Sequence, residues 1–173
     1  MGIGFWGPLR VRKGLFHGVI PDPKLGQESF AFARAQGRIG LQMERSERTG
    51  LEQLIVSDEN MLGIMRQNLA MRSLYPAAGE RIARYMAAFQ GTIKAIHISI
   101  RCPSSYWPSA LSFCLPRGVG VPEQPILDAI AAQTRTWRDV ITDVAAAAPQ
   151  VPIFVSTYET HGARPQTLLG YLL

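Results

Sequence analysis

The run from Ile93 to Ser109 constrains the fold most, because it predicts a strand, a tight turn and a helix in direct succession. Ile93–Ile100 is mostly apolar and rich in β-branched residues, which is typical of a strand buried in a parallel sheet. Pro103 cannot continue a strand, and Ser104 and Ser105 suit the start of a helix. The segment therefore predicts one strand–turn–helix unit of an α/β protein.

Arg101 closes this strand, and Ser109 is expected about one turn into the following helix. The carboxyl ends of strands in an open α/β sheet line the crevice where ligands bind. A guanidinium group matches a phosphate, and the N-terminus of a helix beside it favours negative charge. Arg101 and Ser109 therefore predict one half of a phosphate clamp. The alternatives are an Arg that pairs with a nearby carboxylate and a helical Ser that bonds to its own backbone.

The rest of the chain alternates between helical and strand patterns. We expect extended chain and loop over Met1–Gln27, short buried strands over Glu52–Ser57 and Val151–Thr157, and helices over Ser29–Arg48, Met61–Leu74, Ala77–Phe89, Glu123–Gln133, Arg135–Ala147 and Ala163–Leu173. Helices between apolar strands predict a three-layer α/β fold, with helices on both faces of a mostly parallel sheet. No linker interrupts the pattern, so residues 1–173 are expected to form a single domain.

Composition excludes several classes of protein. A hydrophobic content of 47% argues against disorder, and no apolar run is long enough for a membrane span. No leader pattern opens the chain, and its two cysteines fit reduced thiols without a metal site, so we expect a cytoplasmic protein. The net charge of +5 suits a small anionic ligand as well as an ordinary surface. No basic run interleaved with aromatic residues indicates nucleic-acid binding.

Three segments together resemble bacterial members of the sulfotransferase family, whose donor is 3′-phosphoadenosine 5′-phosphosulfate. Arg101 and Ser109 stand eight residues apart, the spacing of the pair that binds the 3′-phosphate of the donor in that family. Leu54–Gly63 is similar to the strand that runs into a Ser-x-Glu-Asn turn, and Arg72–Ala88 carries Leu-Tyr-Pro before a helix. The resemblance implies a P-loop-like sulfotransferase fold, this nucleotide as donor and no metal.

The same resemblance suggests roles for the turn after the strand at Glu52–Ser57. Sulfuryl transfer needs a base that takes the proton of the attacking group, and Glu59 is the candidate. Ser57 and Asn60 share the turn and would position a ligand, although turn chemistry explains these residues equally well. If the strands run in parallel, Arg101 and this turn should lie within about 15 Å of each other.

One feature of the family is missing. Its Gly-x-x-Lys-Thr-Gly-Thr-Thr loop, which cradles the 5′-phosphosulfate, has no match here, so we expect that the chain begins one βα unit late. Such a fragment would lack a central strand and expose sheet edges, which favours a homodimer or poor solubility. It is also expected to show no measurable sulfuryl transfer. Two functions stay open: a sulfotransferase for an unknown hydroxyl or amine acceptor, and a non-catalytic remnant that serves as a nucleotide-binding or protein-interaction module.

Overall fold

A computed structural model describes residues 2–22, 24, 27–162, 166 and 170. In chain order they form β1 (Gly2–Trp6), α1 (Pro8–Arg10), a π-helical turn (Val11–Leu15), α2 (Glu28–Arg48), β2 (Leu51–Val56), α3 (Met65–Met71), α4 (Ala78–Ala88), β3 (Ile96–Ile100), α5 (Pro103–Cys114), a 3₁₀ turn (Leu115–Arg117), α6 (Gln124–Ala131), α7 (Trp137–Ala147), β4 (Ile153–Thr157) and α8 (Tyr158–His161). The helix predicted over Ala163–Leu173 lies outside the described residues, apart from Gln166 and Gly170.

The chain divides into two compact units. Unit 1 comprises Met1–Leu62 and Glu80–Ile93, and unit 2 comprises Gly63–Gly79 and Lys94–Leu173. The single domain predicted over residues 1–173 stays a prediction, as does pairing with a second copy of the chain.

Unit 1 contains a two-stranded parallel sheet. β1 and β2 pair from Gly2 opposite Leu51 to Trp6 opposite Val56. The extended chain and loop predicted for this start of the chain did not include a paired strand or the two helical turns that follow β1. Glycine is a poor strand former, which hid the strand in the sequence. At Gly2 a side chain has no room, because a Cβ atom there would lie 2.6 Å from the backbone carbonyl oxygen of Gly50.

The core of unit 1 forms around one tryptophan. Trp6 is 1% exposed and packs in a cluster with Val11, Ile39 and Phe89. The rings of Trp6 and Phe89 lie 6.5 Å apart between centroids. Burial of these apolar side chains holds the π-helical turn and α2 near the sheet, since removal of apolar surface from water drives packing.

Unit 2 contains the second parallel sheet. β3 and β4 pair from Ile96 opposite Ile153 to Ile100 opposite Thr157, which confirms the predicted parallel pairing of these two strands. The prediction that β4 is buried is wrong, because Phe154 is 57% exposed. Successive side chains of a strand point to opposite faces, and Val155 is exposed as well, so both faces of β4 carry an uncovered apolar residue.

A buried hydrogen bond fixes α3 against α5 in unit 2. Asn68 is 1% exposed, and its Nδ2 atom donates to the hydroxyl of Tyr106 over 2.6 Å. A buried amide without a partner would cost free energy, so this bond makes its position compatible with the core. The ring of Tyr106 also lies edge-on to Trp107 and Trp137.

The architecture is therefore α/β with parallel strand pairing, as predicted. The strands of the described residues pair two by two, and a three-layer sheet with a P-loop-like sulfotransferase fold stays a prediction. None of the helices in the described part of the chain has the length and apolar composition needed to cross a membrane.

Candidate functional site

Arg101 lies where the sequence predicts it, directly after the last residue of β3. The chain then enters α5 at Pro103, a favourable first residue for a helix because it needs no backbone donor there. The helix begins earlier than Ser104, so Ser105 occupies its first turn and Ser109 lies about two turns in.

The side chain of Arg101 bonds to both of these serines. Its Nε atom donates to Ser105 Oγ over 3.1 Å, and its Nη1 atom donates to Ser109 Oγ over 3.0 Å. Residues four apart in a helix share one face, so the two hydroxyls lie side by side beneath the guanidinium. All three residues are half-buried. The structure thus brings the predicted pair Arg101–Ser109 together and adds Ser105 to it.

Aromatic groups hold Arg101 from its other sides. Its guanidinium carbon lies 5.0 Å from the centroid of the Tyr158 ring, a cation–π contact. The indole Nε1 of Trp137 donates to the backbone carbonyl of Arg101 over 2.6 Å. Trp137 opens α7, whose start is fixed by a capping box between Thr136 and Asp139. No carboxylate in the described part of the chain lies within 4.0 Å of the guanidinium, although the charge of Glu159 interacts with Arg101 at longer range.

The carboxylate of Glu159 accepts a hydrogen bond from the backbone N–H of Cys102, at the start of α5. Its Oε1 atom accepts the N–H of Cys102 over 2.8 Å and lies 3.5 Å from Ser105 Oγ. The bond from the Cys102 N–H stabilises the ionised carboxylate and lowers the pKa of Glu159 below its ordinary range. The sequence predicts that the N-terminus of this helix favours a bound phosphate. Its Cys102 N–H instead binds a carboxylate of the protein itself.

This carboxylate makes stability depend on pH. Since the pKa of Glu159 is lower in the folded state, its contribution is present above pH ~4.3 and is lost as the pH falls through the lowered pKa. We expect Glu159→Gln to lower the melting temperature at pH 7. The gap between wild type and variant should narrow as the pH falls through the lowered pKa, because protonation makes the Glu159 side chain neutral like that of Gln. Thermal denaturation over a series of pH values from 7 downwards checks this, and a gap of constant size would contradict it.

The Ser57–Asn60 turn lies in unit 1 and is held by structural bonds. Asp58 is 6% exposed in its side chain and binds Arg12 through two hydrogen bonds, of 2.7 and 3.0 Å. The same carboxylate accepts the backbone N–H of Asn60 over 2.7 Å, which closes the turn. From the other side, Arg81 donates to the carbonyl of Asn60 over 2.6 Å. These contacts are those of a stabilised turn, and a ligand-binding role for Ser57 and Asn60 stays a prediction.

Glu59 points its carboxylate at Arg12, 2.5 Å from the guanidinium. This hydrogen bond lowers the pKa of Glu59, which favours the ionised form but makes it a weaker base. Its side chain is 62% exposed, so a substrate can reach it. The role of Glu59 as a base stays a prediction, and so does the expected convergence with Arg101, because the two residues belong to different units.

Sequence reasoning missed three residues that contact Arg101. The sequence predicts Ser105 only as part of a helix start, although its spacing of four from Ser109 places both residues on one face. Tyr158 follows β4, so the pairing of β3 with β4 brings it beside Arg101. Nothing in the sequence indicated that Trp137 contacts Arg101, because its hydrogen bond to the Arg101 carbonyl depends on how α7 packs.

Comparison of the chain with models of protein families, with curated proteins and with solved structures found no match.

Proposed function

We propose that this chain is a sulfotransferase-like protein that binds the 3′-phosphate of 3′-phosphoadenosine 5′-phosphosulfate between Arg101 and Ser109. One observation carries the proposal: a half-buried guanidinium at the carboxyl end of β3 bonds two hydroxyls and no carboxylate. Arg presents several donors in a fixed plane, and phosphate is the anion that this geometry suits.

The site has donors left for such an anion. Ser109 Oγ accepts a bond from Arg101, so its own hydrogen is available to donate to a phosphate oxygen. Arg101 uses Nε and Nη1 on the serines, and Nη2 has no hydrogen-bond partner among the described residues. A phosphate bound here would meet the Nη2 group and the Ser109 hydroxyl together.

In the proposed reaction, a hydroxyl or amine of the acceptor attacks the sulfur of the donor. The bond between sulfur and the bridging phosphate oxygen breaks, and adenosine 3′,5′-bisphosphate leaves. The acceptor loses a proton, and Glu59 is our candidate to take it. The two free thiols, Cys102 and Cys114, fit the cytoplasmic location that belongs to this proposal.

The ion pair of Glu59 favours a second candidate function, a nucleotide-binding module without catalysis. A carboxylate whose pKa is lowered by Arg12 is poorly suited to proton transfer near neutral pH. Such a module would keep the Arg101 site and bind adenosine 3′,5′-bisphosphate without turning over the donor. Incubation with donor labelled in its sulfate tests for turnover: the missing phosphosulfate loop predicts no labelled acceptor, and labelled acceptor would identify the first function.

Binding of the nucleotide tests the site shared by both functions. We expect adenosine 3′,5′-bisphosphate to raise the melting temperature, since a ligand at 100 times its Kd stabilises the folded state by ~2.7 kcal/mol. Adenosine 5′-monophosphate, which lacks the 3′-phosphate, should raise it much less at the same concentration. Equal shifts with the two nucleotides would contradict the assignment of the 3′-phosphate to Arg101.

A further inference from the structure

A second basic site lies in unit 1. An open groove of about 600 Å³ lies between α2 and residues 10–17, which include the end of α1 and the π-helical turn. Its lining includes four cationic side chains, Arg10, Lys13, Arg34 and Arg38. None of these residues belongs to the Arg101 site, which lies wholly in unit 2.

The groove carries positive charge that the protein does not neutralise. Among the described residues, the ion pairs are Arg12 with Asp58 and Glu59, Arg48 with Glu44, Arg84 with Glu28, and Arg135 with Asp143. None of the four groove cations is in this set. Four like charges around one open volume repel each other, and a bound anion would relieve that repulsion.

Two of the cations are held in place. Arg10 donates through Nη2 to Gln42 over 2.7 Å, and its guanidinium lies 4.9 Å from the centroid of the buried Trp6 ring. Arg38 donates through Nη2 to the carbonyl of His17, and its buried Nε has no acceptor among the described residues. Fixed side chains lose less conformational freedom on binding than free surface lysines do, which favours a ligand site.

The backbone explains why the cations converge. Arg34 and Arg38 are four residues apart on α2 and share a face. Opposite them the π-helical turn departs from helical geometry at Lys13 and Gly14, where Gly14 adopts a φ of 104°. This positive φ is accessible to glycine and strained for other residues. The turn thereby sets Lys13 at the rim of the groove.

We propose that this groove binds a small organic polyanion that carries two or more phosphate or sulfate groups. The cations would contact the anionic groups, and the apolar wall formed by Leu15 and Leu41 would contact the carbon skeleton. The proposal concerns a site other than the Arg101 clamp and does not depend on sulfuryl transfer.

Calorimetric titration with two probes tests the proposal: inositol hexakisphosphate for phosphate groups and sucrose octasulfate for sulfate groups. The test variant is Lys13→Gln with Arg34→Gln, because both side chains are exposed and make no hydrogen bond to the described residues. The matched control is Arg45→Gln with Arg48→Gln, which removes the same charge from the last turn of α2. The probe that binds wild type more tightly identifies the anionic group.

We expect the test variant to weaken binding of the preferred probe by ~100-fold and the control by less than ~3-fold, because contacts between charged groups dominate such sites. The same ~100-fold loss should follow when the test substitutions are made in the Arg101→Ala background, where the clamp no longer contributes to binding of the probe, which separates the groove from the clamp. Equal losses in the two double variants would overturn the proposal, as would a wild-type Kd weaker than ~1 mM for both probes. Tighter binding of a single-stranded oligonucleotide than of either probe would also overturn it.

Discussion

Replacement of Trp6 by alanine is expected to lower the free energy of unfolding by about 3–5 kcal/mol. Trp6 is 1% exposed, and its indole packs against the apolar cluster that joins β1 to α2 and α4. The truncation removes that packing and leaves a cavity that the surrounding helices can fill only in part. The loss is large against the stability of a typical domain, which is ~5–15 kcal/mol.

Phe5 provides the matched control for this variant. It precedes Trp6 on β1, points to the opposite face and is 61% exposed. Phe5→Ala should therefore change the free energy of unfolding by no more than ~0.5 kcal/mol. Urea denaturation of the three proteins makes the comparison. Similar losses in the two variants would mean that β1 does not present Trp6 to the core.

The order of helices and strands from α2 to β4 could be predicted from their apolar patterns, whereas the short helix α8 was expected to be a loop. α2, α4 and α7 begin and end within about two residues of their predicted bounds, a normal margin for helix ends. β1 could not be predicted, because Gly2 and Gly4 interrupt the apolar pattern of a strand. The space that requires glycine at position 2 is taken by the backbone carbonyl of Gly50, just before β2, and this contact exists only in the folded chain.

The Arg101 site could be predicted only where its residues are near in sequence. Arg101 and Ser109 belong to one strand–turn–helix unit, so local reasoning found their pairing. Tyr158 and Glu159 reach the same site because β4 pairs with β3, a contact between distant parts of the chain. The sequence also gave no sign that the carboxylate of Glu159 lies near enough to interact with the charge of Arg101.

The basic groove shows the same limit. The excess of Lys and Arg in the first 50 residues was visible in the sequence. That excess did not show which cations neutralise carboxylates, as Arg12 does, and which gather without a counterion, as Lys13 and Arg38 do. Tertiary packing decides between these outcomes, because neighbouring residues in the π-helical turn face different partners.

Arg101→Ala is expected to weaken binding of adenosine 3′,5′-bisphosphate by ~10- to 100-fold. A hydrogen bond to a charged group contributes ~1.5–3 kcal/mol, and every 1.4 kcal/mol changes the affinity tenfold. Ser109→Ala removes one hydroxyl but keeps the guanidinium, so its loss should be smaller than that of Arg101→Ala. The effect of Arg101→Ala should shrink at high salt, since screening weakens attraction between partly exposed charges.

Calorimetric titration of adenosine 3′,5′-bisphosphate into wild type, Arg101→Ala and Arg117→Ala tests the central claim most directly. Arg117 is exposed, lies in unit 2 beyond the far end of α5, and its replacement removes the same charge. A 3′-phosphate site at Arg101 predicts an affinity close to that of wild type for Arg117→Ala and the ~10- to 100-fold loss for Arg101→Ala alone. Equal affinities in all three proteins, or equal losses in the two variants, would contradict it.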